Sequence, residues 1–498
     1  MPQDARTDVS VLSALRSPGR LKTELLAGLV VALALIPEAI AFSVIAGVDP
    51  RVGLFASVTM AITIAFVGGR PAMISASTAA VALVIAPVSE QYGVDHLIAT
   101  VILGGVFQIL LSLLGVAKLM RFVPRSVMVG FVNSLAILVF VAQIPHLVNV
   151  PWMVYPLVAA GLLVLVLLPK VTEVVPAPLV TIVLLTVITV TFSLNVPDVA
   201  DQGELPESLP SLFFPDVPLT FATFEILAPY ALAMALVGLM ESLMTAKLVD
   251  DITDTRSDKT REGWGQGIAN IVTGFFGGMG GCAVVGQTMM NVKVSGARTR
   301  LSTLAAGVFL LILVVVLGDI VGLVPMAALV AVMIMVSIAT IDWHSVHPRT
   351  LRLMPLSETV VMIATVVATV STDNLAIGVT LGVLTAMVLF ARRVARLTSV
   401  EKVVDAGGGV DTCTYRVSGE LFWASSNDLV YRFDYLEDPA NVVIDLTGAE
   451  VWDASTVATL DAIQHKYAAK GKSVTIVGLD GASLERLRRL SGRLGGDH

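Results

Sequence analysis

Gly277-Gly278-Met279-Gly280-Gly281-Cys282-Ala283-Val284-Val285-Gly286-Gln287-Thr288-Met289-Met290-Asn291-Val292-Lys293 lies among long apolar segments, yet half of its first ten residues are glycine. Only the part from about Val284 to Val292 reads as helix. At roughly 1.5 Å per residue that part spans about 14 Å, half of the ~30 Å hydrocarbon core. Irregular backbone at membrane depth survives only where protein or a wet cavity satisfies its N–H and C=O groups. The unpaired N–H groups at the start of a half-helix also favour an anion. The stretch therefore reads as a substrate site at the bilayer midplane, with a re-entrant loop as the plainer alternative.

A second stretch, Gly68-Gly69-Arg70-Pro71-Ala72-Met73-Ile74-Ser75-Ala76-Ser77-Thr78, also opens on paired glycines and enters a short apolar run, Ala79–Val88. Interrupted segments at corresponding places in two halves point to an inverted-repeat transporter. Glu38, in Ile36-Pro37-Glu38-Ala39, and Glu241, in Leu239-Met240-Glu241-Ser242, are single acids in apolar spans at a similar offset.

The bulk composition agrees. The chain has 498 residues, 55% hydrophobic and 14% charged, against about 25% charged in water-soluble domains. Its mean hydropathy is +0.85. The polar N-terminus shows no cleaved signal. Two cysteines, Cys282 and Cys413, are too few for a disulfide framework. No zinc spacing, phosphate-binding glycine loop or nucleophile elbow is visible, so the reading is not an enzyme, with no cofactor, no metal and no nucleic-acid partner.

Apolar spans fall at about Leu25–Ala46, Gly53–Val67, Thr78–Val88, Leu97–Leu114, Val127–Ile144, Trp152–Leu168 and Ala177–Phe192. After the polar loop Val196–Phe224 come Ile226–Leu248, Gly267–Phe276, Val284–Val292, Leu301–Leu317, Met326–Ile341, Val360–Thr372 and Ala376–Ala391. This predicts a polytopic α-helical membrane protein of fourteen segments as a 7+7 inverted repeat, about 21–195 and 224–396. The positive-inside rule fits with both termini in the cytoplasm, behind a bacterial inner membrane. Arg70, Lys118, Arg121, Arg125, Lys170, Arg256, Lys259, Arg261, Lys293, Arg298, Arg300, Arg349 and Arg352 then fall inside, and the loop 196–224 is acidic. Arg51 is the one outer exception. Residues 1–20 form a cytoplasmic leader, 21–396 the transport domain, 397–411 a linker, and 412–498 a small cytoplasmic α/β domain with strands at Thr412–Ser418, Val442–Leu446 and Val474–Val477 and helices at Ser455–Ala468 and Ala482–Leu490.

An ionisable group inside a membrane span costs at least ~2.5 kcal/mol, so such acids face a cavity and bind ions or protons. Glu241 has Thr245 one turn on, on the same helix face, and Glu38 follows Pro37, whose missing N–H loosens the helix. Either acid could instead be a structural hydrogen-bonding group. Ser75, Ser77, Thr78, Gln287 and Thr288 offer neutral hydrogen bonds beside the two half-helix starts, and Ala76, Ala79, Cys282 and Ala283 let backbone approach an anion. Arg70 reads as an anchor at the cytoplasmic edge. Ser455 reads as a helix N-cap, or else as a phosphorylation or partner-binding position.

Pro50-Arg51-Val52-Gly53-Leu54-Phe55-Ala56-Ser57, followed by Gly68-Gly69 and Ile74-Ser75, resembles the signature of the sulfate permease family, relatives of the solute carrier 26 anion transporters. Asp445–Thr456 resembles the core of a STAS domain, with Ser455 in place of its phosphorylatable serine. The resemblance implies core and gate domains, a homodimer, elevator-like movement, and an anion held between the third and tenth segments. It implies sulfate, bicarbonate, chloride, oxalate or dicarboxylate as substrate, and H⁺ or Na⁺ as coupling ion. Carried over, the substrate residues are Ser77, Thr78, Ala283, Val284, Val285, Gln287 and Thr288, and the coupling residues are Glu241, Thr245 and Glu38. Na⁺ would use Glu241, Thr245 and Thr78. Many animal members carry an arginine near the start of the tenth helix, where this chain has Gln287-Thr288. The expectation is a proton-coupled anion symporter. A Na⁺-coupled symporter, a passive channel or exchanger, and a membrane-anchored STAS signalling protein with a cytoplasmic partner are the alternatives.

Overall fold

In the computed structural model, the described residues are 10–115, 123–171, 177–206, 208–218, 220–316, 318–372, 374–395, 397–405, 412–426 and 428–491. Helices α1 (Pro18–Ile45) and α2 (Pro50–Val67) each open on proline, where no N–H is needed. After the first break come α3 (Ala79–Tyr92), α4 (Val94–Leu113), α5 (Arg125–Val141), α6 (Val154–Val171) and α7 (Ala177–Thr191). The second half repeats the pattern with α8 (Phe221–Thr253), α9 (Lys259–Phe275), α10 (Val285–Met289), α11 (Arg300–Val316), α12 (Met326–Thr340), α13 (Leu356–Thr372) and α14 (Leu375–Ala395). All fourteen expected segments are present. Among the described residues, seven helices are long and apolar enough to cross a membrane, and five more are shorter apolar ones.

Two boundaries differ for local reasons. Helix α9 begins at Lys259, well before its apolar stretch, because Asp258 caps it by accepting from Arg261 N at 2.9 Å. Helix α10 does not run uniformly to Val292: after Met289 it widens into a π-helical turn, Met290–Val294. The basic residues Lys118 and Arg121 lie outside the described residues. Arg51, the one basic exception to the expected charge pattern, is held by an ion pair to Glu204 of the acidic loop 196–224.

Helices α1, α2, α3, α4, α8, α9, α10 and α11 pack chiefly on one another, as do α5, α6, α7, α12 and α13, with α12 also touching α1. The α4–α9 contact is close because two glycines meet. A Cβ added at Gly105 would lie 2.6 Å from Gly267 O, and one at Gly267 would lie 2.5 Å from Gly105 O.

The unit beginning at Leu384 carries a four-stranded sheet. Its strands are β3 (Ser399–Asp405), β4 (Thr412–Leu421), β5 (Asn441–Val451) and β6 (Ser473–Val477), in the order β3-β4-β5-β6. The first pair is antiparallel and the others parallel. The expected linker 397–411 is thus corrected: residues 399–405 form an edge strand of the sheet, and Ala406–Gly409 lie outside the described residues. Alternation buries Cys413, Tyr415 and Val417 on β4 and Val442, Ile444 and Leu446 on β5. They pack with Val457, Leu460, Ile463 and Tyr467 of α15 (Ala454–Ala468); α16 (Gly481–Leu490) follows β6. Ser455 is not the N-cap. Asp453, with extended backbone, accepts from Thr456 N at 3.0 Å, and Ser455 is an exposed residue in the first turn.

A buried carboxylate braces this unit. Asp438 accepts from Tyr415 at 2.8 Å, from Lys402 at 2.7 Å and from Tyr467. Burial alone would raise its carboxyl, but the bonds from Lys402, Tyr467 and Tyr415 outweigh that and hold it below the ordinary carboxylate value.

Two outcomes are expected. Gly267→Val should push α4 and α9 apart and cost about 1–3 kcal/mol, read as a lower melting temperature in detergent. Asp438→Asn should cost about 1.5–3 kcal/mol at neutral pH, read as faster hydrogen exchange across β4 and β5 in the full-length chain. Because the folded-state value is depressed, this contribution is complete above the unfolded value near 4 and fades as pH falls through the folded one. The variant and the native protein should therefore converge in acid.

Candidate functional site

The two broken segments meet as a pair of minimal strands, β1 (Ser75–Ala76) and β2 (Cys282–Ala283). They run antiparallel, with Ser75 opposite Ala283 and Ala76 opposite Cys282. Val284 N donates to Ile74 O at 2.9 Å, and Thr288 Oγ1 accepts from Ile74 N at 3.0 Å. Glycine makes the crossing possible, since a Cβ at Gly281 would stand 1.9 Å from Ala76 O. Gly281 is further fixed by Asn270 of α9, which accepts from its N–H at 2.8 Å and donates to its carbonyl at 3.0 Å.

From this crossing α3 and α10 depart. Thr78 caps α3, accepting from Val81 N at 3.4 Å. Helix α10 starts at Val284, an N-cap residue with no side-chain hydrogen bond. Its first residues, Val285 and Gly286, are exposed, and a Cβ added at Gly286 would meet open space.

Both sequence-predicted acids reach this crossing, each half-buried. Gln287 Nε2 on α10 donates to Glu38 Oε1 on α1 at 2.5 Å. Cys282 Sγ donates to Glu241 Oε2 on α8 at 3.0 Å, and Thr78 Oγ1 lies 3.1 Å from the same sulfur. Glu241 and Thr78 are thus joined through Cys282, and Glu38 is joined to Gln287, while Val285 is exposed at the start of α10.

The other candidates serve the frame. Ser77 is buried against Ser57 of α2 at 2.8 Å, and Thr288 is spent on Ile74. Ala283 N donates to Ser242 Oγ at 3.1 Å, and Val284 is buried in the main apolar cluster. Thr245 is buried and donates to its own helix at Glu241 O, 2.8 Å, rather than to the Glu241 carboxylate. Ser75 accepts from Gln266 at 2.7 Å. Arg70 is an anchor, bonded to Asp250 at 3.0 Å and to Thr253 and Thr255.

Sequence reasoning missed the polar side chains that hold the crossing. Gln108 accepts from Asn270 at 2.9 Å, Glu262 accepts from Gly69 N and Arg70 N at 2.7 and 2.9 Å, and Asn291 donates to Ala72 O at 2.8 Å. Gln108 is a polar residue within an apolar run, the same signal that exposed Glu38 and Glu241, whereas Asn270 follows several other polar residues on its helix. Cys282 was read only as a small residue, whereas its sulfur links two of the predicted groups. No cluster of three or more His, Cys, Asp or Glu side chains fit to hold a metal occurs among the described residues.

Comparison with known proteins places the chain in a family. The sulfate permease family model matches residues 21–156 and 148–365, and the STAS domain model matches 403–491. YbaR of Bacillus subtilis, a candidate sulfate transporter, is 49% identical over 473 residues, covering 95% of this chain and 98% of its own. The bicarbonate transporter BicA of a Picosynechococcus species is 26% identical over 527 residues, covering 94% and 91%. The transmembrane domain of a cyanobacterial BicA superposes with a TM-score of 0.65 at 25% identity, over 72% of this chain and 98% of its own. The inward-facing murine solute carrier 26 family member A9 shares the fold alone, with a TM-score of 0.80 at 15% identity over 94% and 87%. With a family model spanning most of its helical part and a near full-length relative at 49% identity, the chain belongs to the sulfate permease family.

Proposed function

We propose that this chain is a secondary active transporter that moves a small anion together with a proton across the bacterial inner membrane. The observation that carries the reading is the crossing of β1 and β2, with one carboxylate hydrogen-bonded to Cys282 within it and another to Gln287 just after it. The starts of α3 and α10 favour negative charge, whereas ionised Glu38 and Glu241 oppose it. Protonating one acid relieves that opposition, so anion and proton binding reinforce each other. The family description and the name of BicA point to small oxyanions, sulfate and bicarbonate, and the same hydrogen-bonding groups suit a dicarboxylate. The bundle bearing α3 and α10 would slide against the one bearing α5–α7 and α12–α13 in an elevator-like step. The working form would be a homodimer with both termini cytoplasmic, its STAS domain open to a protein partner through the face carrying exposed Ser455.

Purified protein in liposomes should concentrate one of labelled sulfate, bicarbonate or succinate under an inward proton gradient. Uptake that only equilibrates would identify a channel or exchanger, and uptake driven by Na⁺ alone would assign Glu241 to a sodium site. Glu241→Gln, which mimics the neutral acid, should retain anion exchange and lose pH-driven accumulation. Glu38→Gln should slow every mode of transport, because the Gln287 amide then has only a neutral acceptor and the tie between α1 and α10 weakens. The reverse pattern would exchange the two assignments.

A further inference from the structure

Glu241, Cys282 and Thr78 form a hydrogen-bonded chain from α8 to the cap of α3. Cys282 Sγ is fully buried, 3.0 Å from Glu241 Oε2 and 3.1 Å from Thr78 Oγ1, and the Thr78 oxygen accepts from Val81 N at 3.4 Å. The direction of this chain depends on one proton. An ionised carboxylate can only accept, so the thiol must point its hydrogen at Oε2 and the Thr78 hydroxyl can then donate to the sulfur. A protonated Glu241 can donate to the sulfur instead. The S–H then turns to Thr78 Oγ1, 3.1 Å from Sγ, with the carbonyl of Ala283 a more distant acceptor at 3.8 Å. The sulfur's accepting side is now used by Glu241, and the Thr78 hydroxyl is released toward the start of α3.

We infer that Cys282 is a positioning residue through which the protonation state of Glu241 sets the direction of the Thr78 hydroxyl, and so the hydrogen bond offered to the anion. This rests on the proton-coupled reading above. The only chemistry is the gain of one proton by Glu241 from water on one side and its loss on the other; the thiol keeps its hydrogen throughout. The inference supplies a physical link between coupling ion and substrate: they are bound by different residues, and Cys282 touches both.

Few other charges reach this chain. Elements α3, α4, α9, α10 and β2 pack against α8. Their charged or titratable side chains, Cys282 aside, stand at element ends: Glu90 and Tyr92 on α3, Asp95 and His96 on α4, Lys259, Arg261 and Glu262 on α9, and Lys293 on α10. On α8 itself, Glu225 and Tyr230 lie in the first turns and Lys247, Asp250 and Asp251 in the last, Asp250 being paired with Arg70 and Lys259. Glu38 is engaged by Gln287.

Proteoliposomes of the full-length protein test the inference, using whichever of sulfate, bicarbonate and succinate the native protein takes up. Two readouts are taken for each variant: accumulation under an inward proton gradient, and the rate of downhill uptake between pH 5 and 8. Cys282→Ala breaks the chain. It should lower accumulation relative to downhill rate by roughly fivefold, at the low end of ordinary site–site coupling, and flatten the pH profile. Cys282→Ser keeps a hydroxyl that can donate and accept in the same place, and should restore both. Wild-type accumulation and pH profile in Cys282→Ala would overturn the inference. Equal losses of both readouts in the Ala and Ser variants, with lower melting temperatures, would also overturn it, leaving Cys282 a packing residue. A native protein that only equilibrates its anion would sink the coupled reading itself, and that result is visible in the wild-type arm alone.

Discussion

Satisfying backbone polar groups away from water is the constraint on which the membrane part depends. Two chain breaks at mid-membrane would each leave N–H and C=O groups unpaired, at several kcal/mol apiece in hydrocarbon. They are resolved jointly, because Ser75–Ala76 and Cys282–Ala283 pair with each other, and Thr288, Asn270, Asn291 and Ser242 take most of what remains. The two halves are therefore not separable folding problems. Each break is tolerable only because the other supplies its partner, and the close approach of Gly281 to Ala76 sets how near they come.

That solution also decides the electrostatics. A half-helix start is worth about 0.3–1 kcal/mol to an anion in ordinary settings. Two unit charges about 6 Å apart at an effective dielectric near 20 repel by roughly 3 kcal/mol. A carboxylate beside the crossing therefore outweighs a helix start, which is why the proposed coupling assigns its protonation the larger effect. Glu38 and Glu241 lie on different helices and reach different residues of the crossing, so the two acids are not interchangeable.

The C-terminal α/β unit solves a different problem with ordinary means. Alternating β4 and β5 and the apolar face of α15 enclose one small core, and Asp438 ties β3, β4 and α15 through Lys402, Tyr415 and Tyr467. A carboxylate with three donors repays its burial, as an unpaired one would not. Asp453 caps α15 and leaves Ser455 exposed, so the first turn offers a hydroxyl to solvent without loss of the cap.

The membrane class, the fourteen segments and the two acids were legible in the linear sequence because each is a local property. A span is a run of apolar residues, and a single Glu38 or Glu241 within one stands out against that run. Thr412–Ser418 was legible from its alternation and Val442–Leu446 as a short apolar run, both shorter than the strands Thr412–Leu421 and Asn441–Val451 that form. Edge strand β3 was not, because the glycine run after it resembles a linker and its pairing with β4 is made only in space. Nor was the division of labour at the site. Ser77, Thr78, Thr288 and Thr245 carry equivalent hydroxyls, and tertiary contacts spend Ser77 on Ser57 and Thr288 on Ile74 and bring Thr78 to Cys282, while Thr245 turns back on its own helix. A hydroxyl's role is set by which donor or acceptor stands within ~3 Å of it, and here those partners lie up to 214 residues away along the chain.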